Sequence, residues 1–226
     1  MFRGRIATAA ACAALLSAPL LAAKKAAPVT LESVIKNVQL QQKKTQTLQA
    51  DFRQEKVLAL LSKPEVSAGR FAFSKPNKVL WSYDSPRRVE MLISNGTMTT
   101  WFPDLNKAER IDVRRFEDRI FRYMGASGAI DELGRYFDFT FTDTSTSPFW
   151  ILDLKPKTRA MARRVRGIRI WIDKQTYLTS KFEYVEGDGD ITRYEFTHIR
   201  INQPIAQARF TLPLPANVKI EQMKIQ

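Results

Sequence analysis

The sequence predicts a mainly β domain with some α-helix. About nine to eleven antiparallel strands are expected to form one large curved sheet or barrel behind an N-terminal amphipathic helix. Apolar and polar residues alternate along most segments after Gly69. Turn signals separate these segments, and Asn95-Gly96 is the strongest of them because both residues accept a positive φ. Apolar residues at helical spacing come before the first alternating segment.

The N-terminal helix is predicted over residues 31–48. Thr30 is the expected N-cap, and Glu32 lies in the first turn, where a negative charge favours the helix dipole. Residues at helical spacing form one apolar stripe, which comprises Leu31, Val34, Ile35, Val38, Thr45, Leu48 and Phe52. Such a stripe must cover another apolar surface, and one face of the predicted sheet offers it.

The strands are predicted where apolar residues repeat at every second position. They occupy residues 69–74, 79–83, 89–94, 98–101, 136–142, 149–154, 167–173, 178–185 and 190–201, with a closing strand at 208–211. Strand alternation and the helical stripe together predict one apolar space bordered by Phe71, Phe73, Val79, Trp81, Leu31, Val34, Ile35 and Val38. The pattern alone leaves open whether that space is a packed core or a ligand cavity.

One segment, residues 112–133, departs from the strand pattern. Its apolar residues keep helical spacing and comprise Val113, Phe116, Ile120, Tyr123 and Met124. Gly125 and Gly128 interrupt the segment. Interrupted helices that lie on a sheet are among the elements that move, so a short mobile helical element is expected here.

The first 23 residues have the pattern of a cleaved secretory signal. Arg3 and Arg5 form a short basic region, a run rich in alanine and leucine follows, and small residues reach Ala23. The apolar run is too short for a membrane-spanning helix. Cys12 lies inside the run, so it should leave with the signal. We therefore expect a periplasmic chain whose residues 24–226 form a single domain without disulfides.

An intact mass of the exported protein tests this expectation. The mature form should begin after Ala22 or Ala23 and should carry no lipid, because its one cysteine has been removed with the signal. A periplasmic form that retains Cys12 with attached acyl chains would contradict the prediction.

The chain is strongly basic. The formal net charge is +13, and a mature chain that has lost Arg3 and Arg5 keeps +11. A basic chain is a candidate for binding nucleic acid, but export removes that partner and no recognition motif is present. Attraction to anionic membrane surfaces or to acidic proteins fits an exported chain better, and a solubilising basic surface is the simplest alternative.

The sequence does not indicate catalysis. His198 is the single histidine, and no serine or cysteine nucleophile motif accompanies it, so a structural or surface role is favoured. Asp188 and Asp190 flank Gly189 as turn residues do, and the further ligands of a calcium loop are missing. The GxSxG, HExxH and phosphate-loop motifs are absent too. We expect neither an enzyme nor a bound metal or cofactor.

Several sequence blocks follow one another in a recognisable order. The segment Leu48-Gln-Ala-Asp-Phe-Arg-Gln-Glu contains A-x-F-x-Q, and residues 69–83 fit G-x-F-x-x-x-x-P-x-x-x-x-W-x-Y. Ile93-Ser-Asn-Gly-Thr, Trp101-Phe-Pro and Ala208-Arg-Phe-Thr-Leu-Pro come later. In this order the blocks resemble the LolA family of periplasmic outer-membrane lipoprotein carriers. The resemblance extends over residues 30–220 and is most specific at residues 69–83.

The resemblance implies an incomplete, half-open antiparallel β-barrel that encloses an apolar cavity for acyl chains of lipoproteins. It implies a helical lid, to which Phe116, Ile120 and Met124 would belong. It also implies loading by an inner-membrane ABC transporter that releases lipoproteins, and delivery to an outer-membrane acceptor. We expect the carrier to be a monomer.

The family's lid latch falls on Lys75 in this sequence. In the LolA family the basic residue before the motif proline is usually arginine, and it ties the lid helices to the barrel. Lysine keeps the positive charge but lacks the planar fork of donors that arginine offers. The resemblance therefore implies a latch at Lys75 that holds the lid less firmly.

Two other functions are compatible with the same resemblance. The first is a LolA-like carrier of another lipid or of an exported apolar product. The second is a periplasmic lipoprotein-sensing interaction domain with the same fold, although such proteins usually carry a second domain. The LolA-type lipoprotein carrier is the favoured interpretation.

Overall fold

The computed structural model describes residues 29–115 and 129–224. Its helices are α1 (Leu31–Lys44), α2 (Ala129–Tyr136) and α3 (Arg159–Ala162), with short 3-10 helices at Pro103–Leu105 and Gln207–Phe210. Its strands are β1 (Thr47–Val57), β2 (Glu65–Ser74), β3 (Lys78–Ser85), β4 (Val89–Ser94), β5 (Thr97–Phe102), β6 (Lys107–Asp112), β7 (Phe137–Asp143), β8 (Phe149–Pro156), β9 (Val165–Asp173), β10 (Thr179–Glu186), β11 (Ile191–Ile201) and β12 (Lys219–Met223).

All twelve strands belong to one sheet, in the order β12-β6-β5-β4-β3-β2-β1-β11-β10-β9-β8-β7. Neighbouring strands are antiparallel, except that β12 runs parallel to β6. The β1–β6 and β7–β11 meanders join where β1 pairs with β11. Strands β7 and β12 are the two edges, so the sheet is not closed. The predicted mainly β, half-open architecture is confirmed, and the described residues form 12 strands where nine to eleven were predicted.

Helix α1 begins as predicted but ends earlier. Thr30 Oγ1 accepts a hydrogen bond from Ser33 N at 3.2 Å, and Thr30 N donates to Ser33 Oγ at 3.1 Å, which completes a capping box. The helix ends at Lys44, and the predicted helical positions Leu48 and Phe52 lie in β1. A spacing of four residues fits a helix face and a strand face equally. These residues form a strand because the segment pairs with β2 on one side and with β11 on the other.

The prediction of a closing strand at residues 208–211 is wrong. Residues 207–210 form a 3-10 helix, and Phe210 packs on Ala72 and Leu80 on one face of the sheet. The chain crosses this face after β11 and adds β12 beside β6 at the far edge. The alternation of Phe210 and Leu212 therefore reflects packing on the sheet and not pairing within it.

The strand connections collect at two rims of the sheet, as the pairing registers require. The β1–β2 rim contains the connections 58–64, 86–88, 103–106, 157–164 and 187–190. The β2–β3 rim contains the connections 75–77, 95–96, 144–148 and 174–178. The predicted hairpin turn is confirmed, because Asn95 and Gly96 have φ values of 51° and 73° between β4 and β5.

The residues assigned to the lid, Phe116, Ile120 and Met124, lie outside the described residues, as does the expected signal at residues 1–23. Val113, from the same predicted segment, follows β6 and is buried, and its N–H donates to Gly96 O at 2.8 Å. Among residues 29–115 and 129–224, no helix has the length and apolar character needed to cross a membrane.

Candidate functional site

One face of the sheet carries apolar side chains on most of its strands. Residues that pair directly across an antiparallel ladder point to the same face. The registers therefore place on one face Phe141, Leu152, Ile170, Phe182, Tyr194, Phe196, Phe52, Phe71, Trp81 and Met91. We call this surface, which extends from β7 to β4, the apolar face.

Helix α1 covers the part of the apolar face formed by β7, β8 and β9. The buried members of this cluster are Val34, Val38, Leu133, Phe137, Trp150, Leu152, Leu154 and Ile172. Leu31 and Ile35 pack against it and are partly buried. The predicted apolar stripe of the helix is therefore in contact with the sheet, as an amphipathic helix requires. We call this set the helix cluster.

A second cluster lies on the apolar face at β1 to β4. Its buried members are Phe52, Phe71, Phe73, Val79, Trp81, Ile93 and Val113. Trp81 is central, because its ring lies 4.8 Å from the rings of both Phe52 and Phe71 in edge-to-face geometry. The indole Nε1 of Trp81 is buried and has no hydrogen-bond acceptor among the described residues. We call this set the aromatic cluster.

Four half-buried aromatic rings on β10 and β11 lie between the two clusters. They belong to Phe182, Tyr184, Tyr194 and Phe196. Phe182 stacks on Tyr194 at 4.7 Å with an interplanar angle of 15°, and Tyr194 lies 5.4 Å from Trp81. Burial raises the pKa of Tyr194, so its phenol is neutral at neutral pH. We call these four rings the aromatic wall.

The structure places the predicted cavity residues in two groups on the same face. Leu31, Val34, Ile35 and Val38 lie in or against the helix cluster. Phe71, Phe73, Val79 and Trp81 lie in the aromatic cluster. The aromatic wall joins the two groups, and sequence reasoning missed it as part of a site. Alternation in β10 and β11 was the available signal, but it does not reveal which strands become neighbours.

Lys75 contacts the C-terminal end of α1 from the connection between β2 and β3. Its Nζ donates to Lys43 O at 2.9 Å and to Gln42 O at 3.1 Å. Asn202 Nδ2 donates to Lys44 O at 3.2 Å. These bonds satisfy carbonyls that the end of a helix leaves without intrahelical partners, and a cation there also favours the helix dipole. Burial lowers the pKa of Lys75 from its usual value.

A polar groove of about 770 Å³ lies away from the apolar face. It is bordered by β4, β5, β6 and the crossing segment, with Thr99, Arg110 and Leu212 in its lining. Thr99 pairs with Leu92, which lies on the opposite side of the sheet from Trp81. We do not assign acyl chains to this groove, because its polar lining does not suit them and the apolar face does.

His198 lies on the exposed surface, as predicted. Its Nδ1 is 2.8 Å from Asp51 Oδ2 at an irregularity in the pairing of β1 and β11. The side chain is 80% exposed. No group of metal-binding side chains occurs in the part of the chain that the structure describes.

Comparisons with known proteins agree with the geometry. The family profile that matches residues 43–213 is described as "Outer membrane lipoprotein carrier protein LolA". An outer-membrane lipoprotein carrier protein of Pseudomonas putida (strain GB-1) is 24% identical over 181 residues, which are 78% of this chain and 82% of the relative. One from Methylococcus capsulatus is 27% identical over 179 residues, which are 77% of this chain and 80% of the relative.

Two solved structures share the fold. An uncharacterized conserved protein from Thermus thermophilus superposes with a TM-score of 0.55 at 8% identity, over 85% of this chain and 98% of that chain. MucB superposes with a TM-score of 0.52 at 12% identity, over 84% of this chain and 64% of MucB. At such identities the likeness is evidence for the fold alone.

Proposed function

The chain belongs to the LolA family, and from this premise we propose that it is a periplasmic carrier that shields the acyl chains of lipoproteins. In this function it takes lipoproteins from an inner-membrane ABC transporter and delivers them to an outer-membrane acceptor. The supporting observation is the apolar face, which α1 covers over β7–β9 and which remains half-buried at the aromatic wall. The family is one of carriers, and we propose no catalytic step.

We propose that the acyl chains bind on the half-buried aromatic wall, beside the buried aromatic cluster, and we call this site the acyl seat. Large apolar surfaces that stay partly exposed commonly mark binding sites. Burial of a methylene group contributes about 0.8 kcal/mol, so sheltering a dozen methylenes contributes about 10 kcal/mol. That free energy is enough to hold a lipid anchor out of water.

The Trp81 indole offers one polar contact within this apolar seat. A buried N–H normally has an acceptor, but the indole nitrogens of Trp81, Trp101 and Trp150 have none among the described residues. Of the three, Trp81 is the one with ring contacts to the aromatic wall, at Tyr194 and Phe196. The ester carbonyl of an acylated glyceryl group is an acceptor of suitable size and chemistry. We propose that such a carbonyl accepts from Trp81 and sets the depth of the lipid on the sheet.

Release of the cargo must run downhill to a better acceptor, because the sequence contains no nucleotide-binding motif. Removal of α1 from the sheet would uncover the helix cluster and open the face from β7 onwards. Lys75 holds the C-terminal end of α1 through two main-chain carbonyls. We propose that this contact is the latch of the covering helix.

We expect Lys75→Leu to release cargo several-fold faster, because a hydrogen bond of this kind contributes on the order of 1 kcal/mol. Lys75→Arg should favour the closed form and slow release, since the planar guanidinium can donate to the two carbonyls from separate nitrogens and loses less conformational entropy for each bond. The measurement is the rate at which each variant passes a fluorescent lipopeptide to acceptor vesicles.

Lys44→Leu is the matched control for this experiment. Lys44 is an exposed cation at the same helix end, and its side chain makes no hydrogen bond among the described residues. It should leave the rate unchanged. All variants should melt within a few degrees of the parent, because a change of 1 kcal/mol shifts Tm by about 2–4 °C in a chain of this size. Equal transfer rates for the parent and both Lys75 variants would show that Lys75 does not hold the covering helix.

The carrier function itself is tested by transfer between membranes. Donor vesicles with a fluorescent triacylated lipopeptide are separated from acceptor vesicles by a dialysis membrane that passes the protein. We expect the mature protein to move lipopeptide across, and we expect no transfer when the protein is left out. Transfer no faster than with an unrelated basic protein would contradict the proposed function.

A further inference from the structure

The β1–β2 rim differs from the rest of the surface in its exposed apolar side chains. Of the exposed large apolar residues among the described residues, the three most exposed are Leu60, Leu105 and Leu61, at 97%, 69% and 49%. All three lie in connections of this one rim. Exposed leucines at loop tips bury nothing in the protein itself, so they are available to a partner.

The same rim is strongly basic. Its five connections contain seven cations and three carboxylates, namely Lys63, Arg87, Arg88, Lys157, Arg159, Arg163, Arg164, Asp104, Asp188 and Asp190. Apart from Lys157, the cations form no ion pair with any described residue and are exposed. On the β2–β3 rim, by contrast, Lys75 and Lys174 both bond within the protein. Among the strand connections, the cations without an ion pair are therefore concentrated on the β1–β2 rim.

The loop that carries Leu60 is held in place by the neighbouring turn. Ala59 N donates to Asp190 Oδ1 at 2.8 Å, and Leu61 N donates to Leu58 O at 2.9 Å. Asp190 N in turn donates to Asp188 Oδ1 at 3.1 Å. The leucines are thus presented on an ordered turn, which reduces the conformational entropy lost when they bind.

We propose that the β1–β2 rim docks on the surface of an anionic lipid bilayer, with Leu60 and Leu61 inserted between headgroups and the rim cations in contact with phosphates. Neither the exposed leucines nor the cations suffice alone, since stable attachment to a membrane takes both apolar insertion and basic charge. Register places Tyr83 and Tyr184 of the apolar face within two residues of the strand ends at this rim. Docking would therefore bring the acyl seat to the membrane surface.

Co-sedimentation with vesicles tests the proposal. We expect the mature protein to bind vesicles of phosphatidylcholine with about a third phosphatidylglycerol, and to bind pure phosphatidylcholine about tenfold more weakly. Leu60→Ser/Leu61→Ser and Arg163→Gln/Arg164→Gln should each weaken binding to the anionic vesicles by about tenfold. Binding should also fall as salt is raised.

Two matched controls isolate the rim. Ile220→Ser/Met223→Ser removes two exposed apolar side chains from edge strand β12, and Lys36→Gln/Arg200→Gln removes two exposed cations elsewhere. Both should bind as the parent does. Equal loss in rim and control variants, or no binding by the parent, would overturn the proposal. So would rim variants that bind vesicles normally but lose transfer to a protein acceptor, because the rim would then contact a protein.

The docking proposal is independent of the cargo proposal. Phe182→Glu alters the aromatic wall at a residue in the middle of β10, outside the rim connections. It should bind anionic vesicles as the parent does, even where lipopeptide uptake is lost. Loss of vesicle binding in Phe182→Glu would show that vesicles are held through the acyl seat, and would overturn docking through the rim.

Discussion

Phe182→Glu is expected to lower the affinity for an acylated lipopeptide by at least about tenfold. The ring of Phe182 is half-buried and stacks on Tyr194 at the centre of the aromatic wall. In the empty protein a carboxylate at this position keeps water around it. Acyl chains on the wall would strip that water away, so the desolvation cost falls on the loaded state. The measurement is the dissociation constant of a fluorescent lipopeptide.

The control adds the same charge on the other face of the sheet. Thr142 of β7 is exposed, and strand alternation places its side chain on the opposite face of the sheet from Phe141. Thr142→Glu should bind lipopeptide as the parent does, and Phe182→Leu should retain most of the affinity. If Phe182→Glu binds as tightly as Thr142→Glu, the aromatic wall is not where the acyl chains lie.

Gly69→Ala is expected to destabilise the protein by about 3 kcal/mol, because the substitution overpacks a tight backbone contact. A Cβ at Gly69 would lie 1.9 Å from Ser82 O and 2.9 Å from Tyr83 Cα. These are main-chain atoms, so β2 and β3 would have to separate where they carry Phe71 and Trp81. In a chain of this size the change corresponds to a Tm lower by about 6–12 °C.

Gly134→Ala is the matched control for thermal unfolding. Among the described residues its Cβ would meet only Phe139 Cε2, at 3.6 Å, and the residue lies in α2. We expect it to be neutral or stabilising by up to about 1 kcal/mol, since alanine favours a helix over glycine. Equal Tm values for the two alanine variants would show that β2 and β3 are less closely apposed than the structure has them.

Local periodicity predicted nine of the twelve described strands and their faces, and it missed β1, β6 and β12. Phe71 with Phe73 and Val79 with Trp81 share the faces expected from alternation, and Asn95-Gly96 forms the expected hairpin turn. These features depend on residues close together in the sequence, so the pattern of the chain contains them.

The features that the sequence did not predict depend on distant partners. The end of α1 was misplaced because Leu48 and Phe52 fit both periods, and pairing with β2 and β11 makes them strand residues. The aromatic wall exists because β10 and β11 come between the two clusters. The β1–β2 rim collects cations from connections far apart in the chain. Lys75 was expected to act at the lid, and its bonds to Gln42 and Lys43 became visible only in the fold.

The most direct test of the proposed function is the lipid that the mature protein carries. The protein would be purified from the periplasm without detergent and measured intact by native mass spectrometry, followed by extraction and identification of bound lipid. We predict a mass increment equal to one acylated lipoprotein or its lipidated fragment, which Phe182→Glu lacks and Thr142→Glu retains. A protein that carries no acyl lipid, or one whose bound lipid is the same in both variants, would contradict a lipoprotein seat on the apolar face.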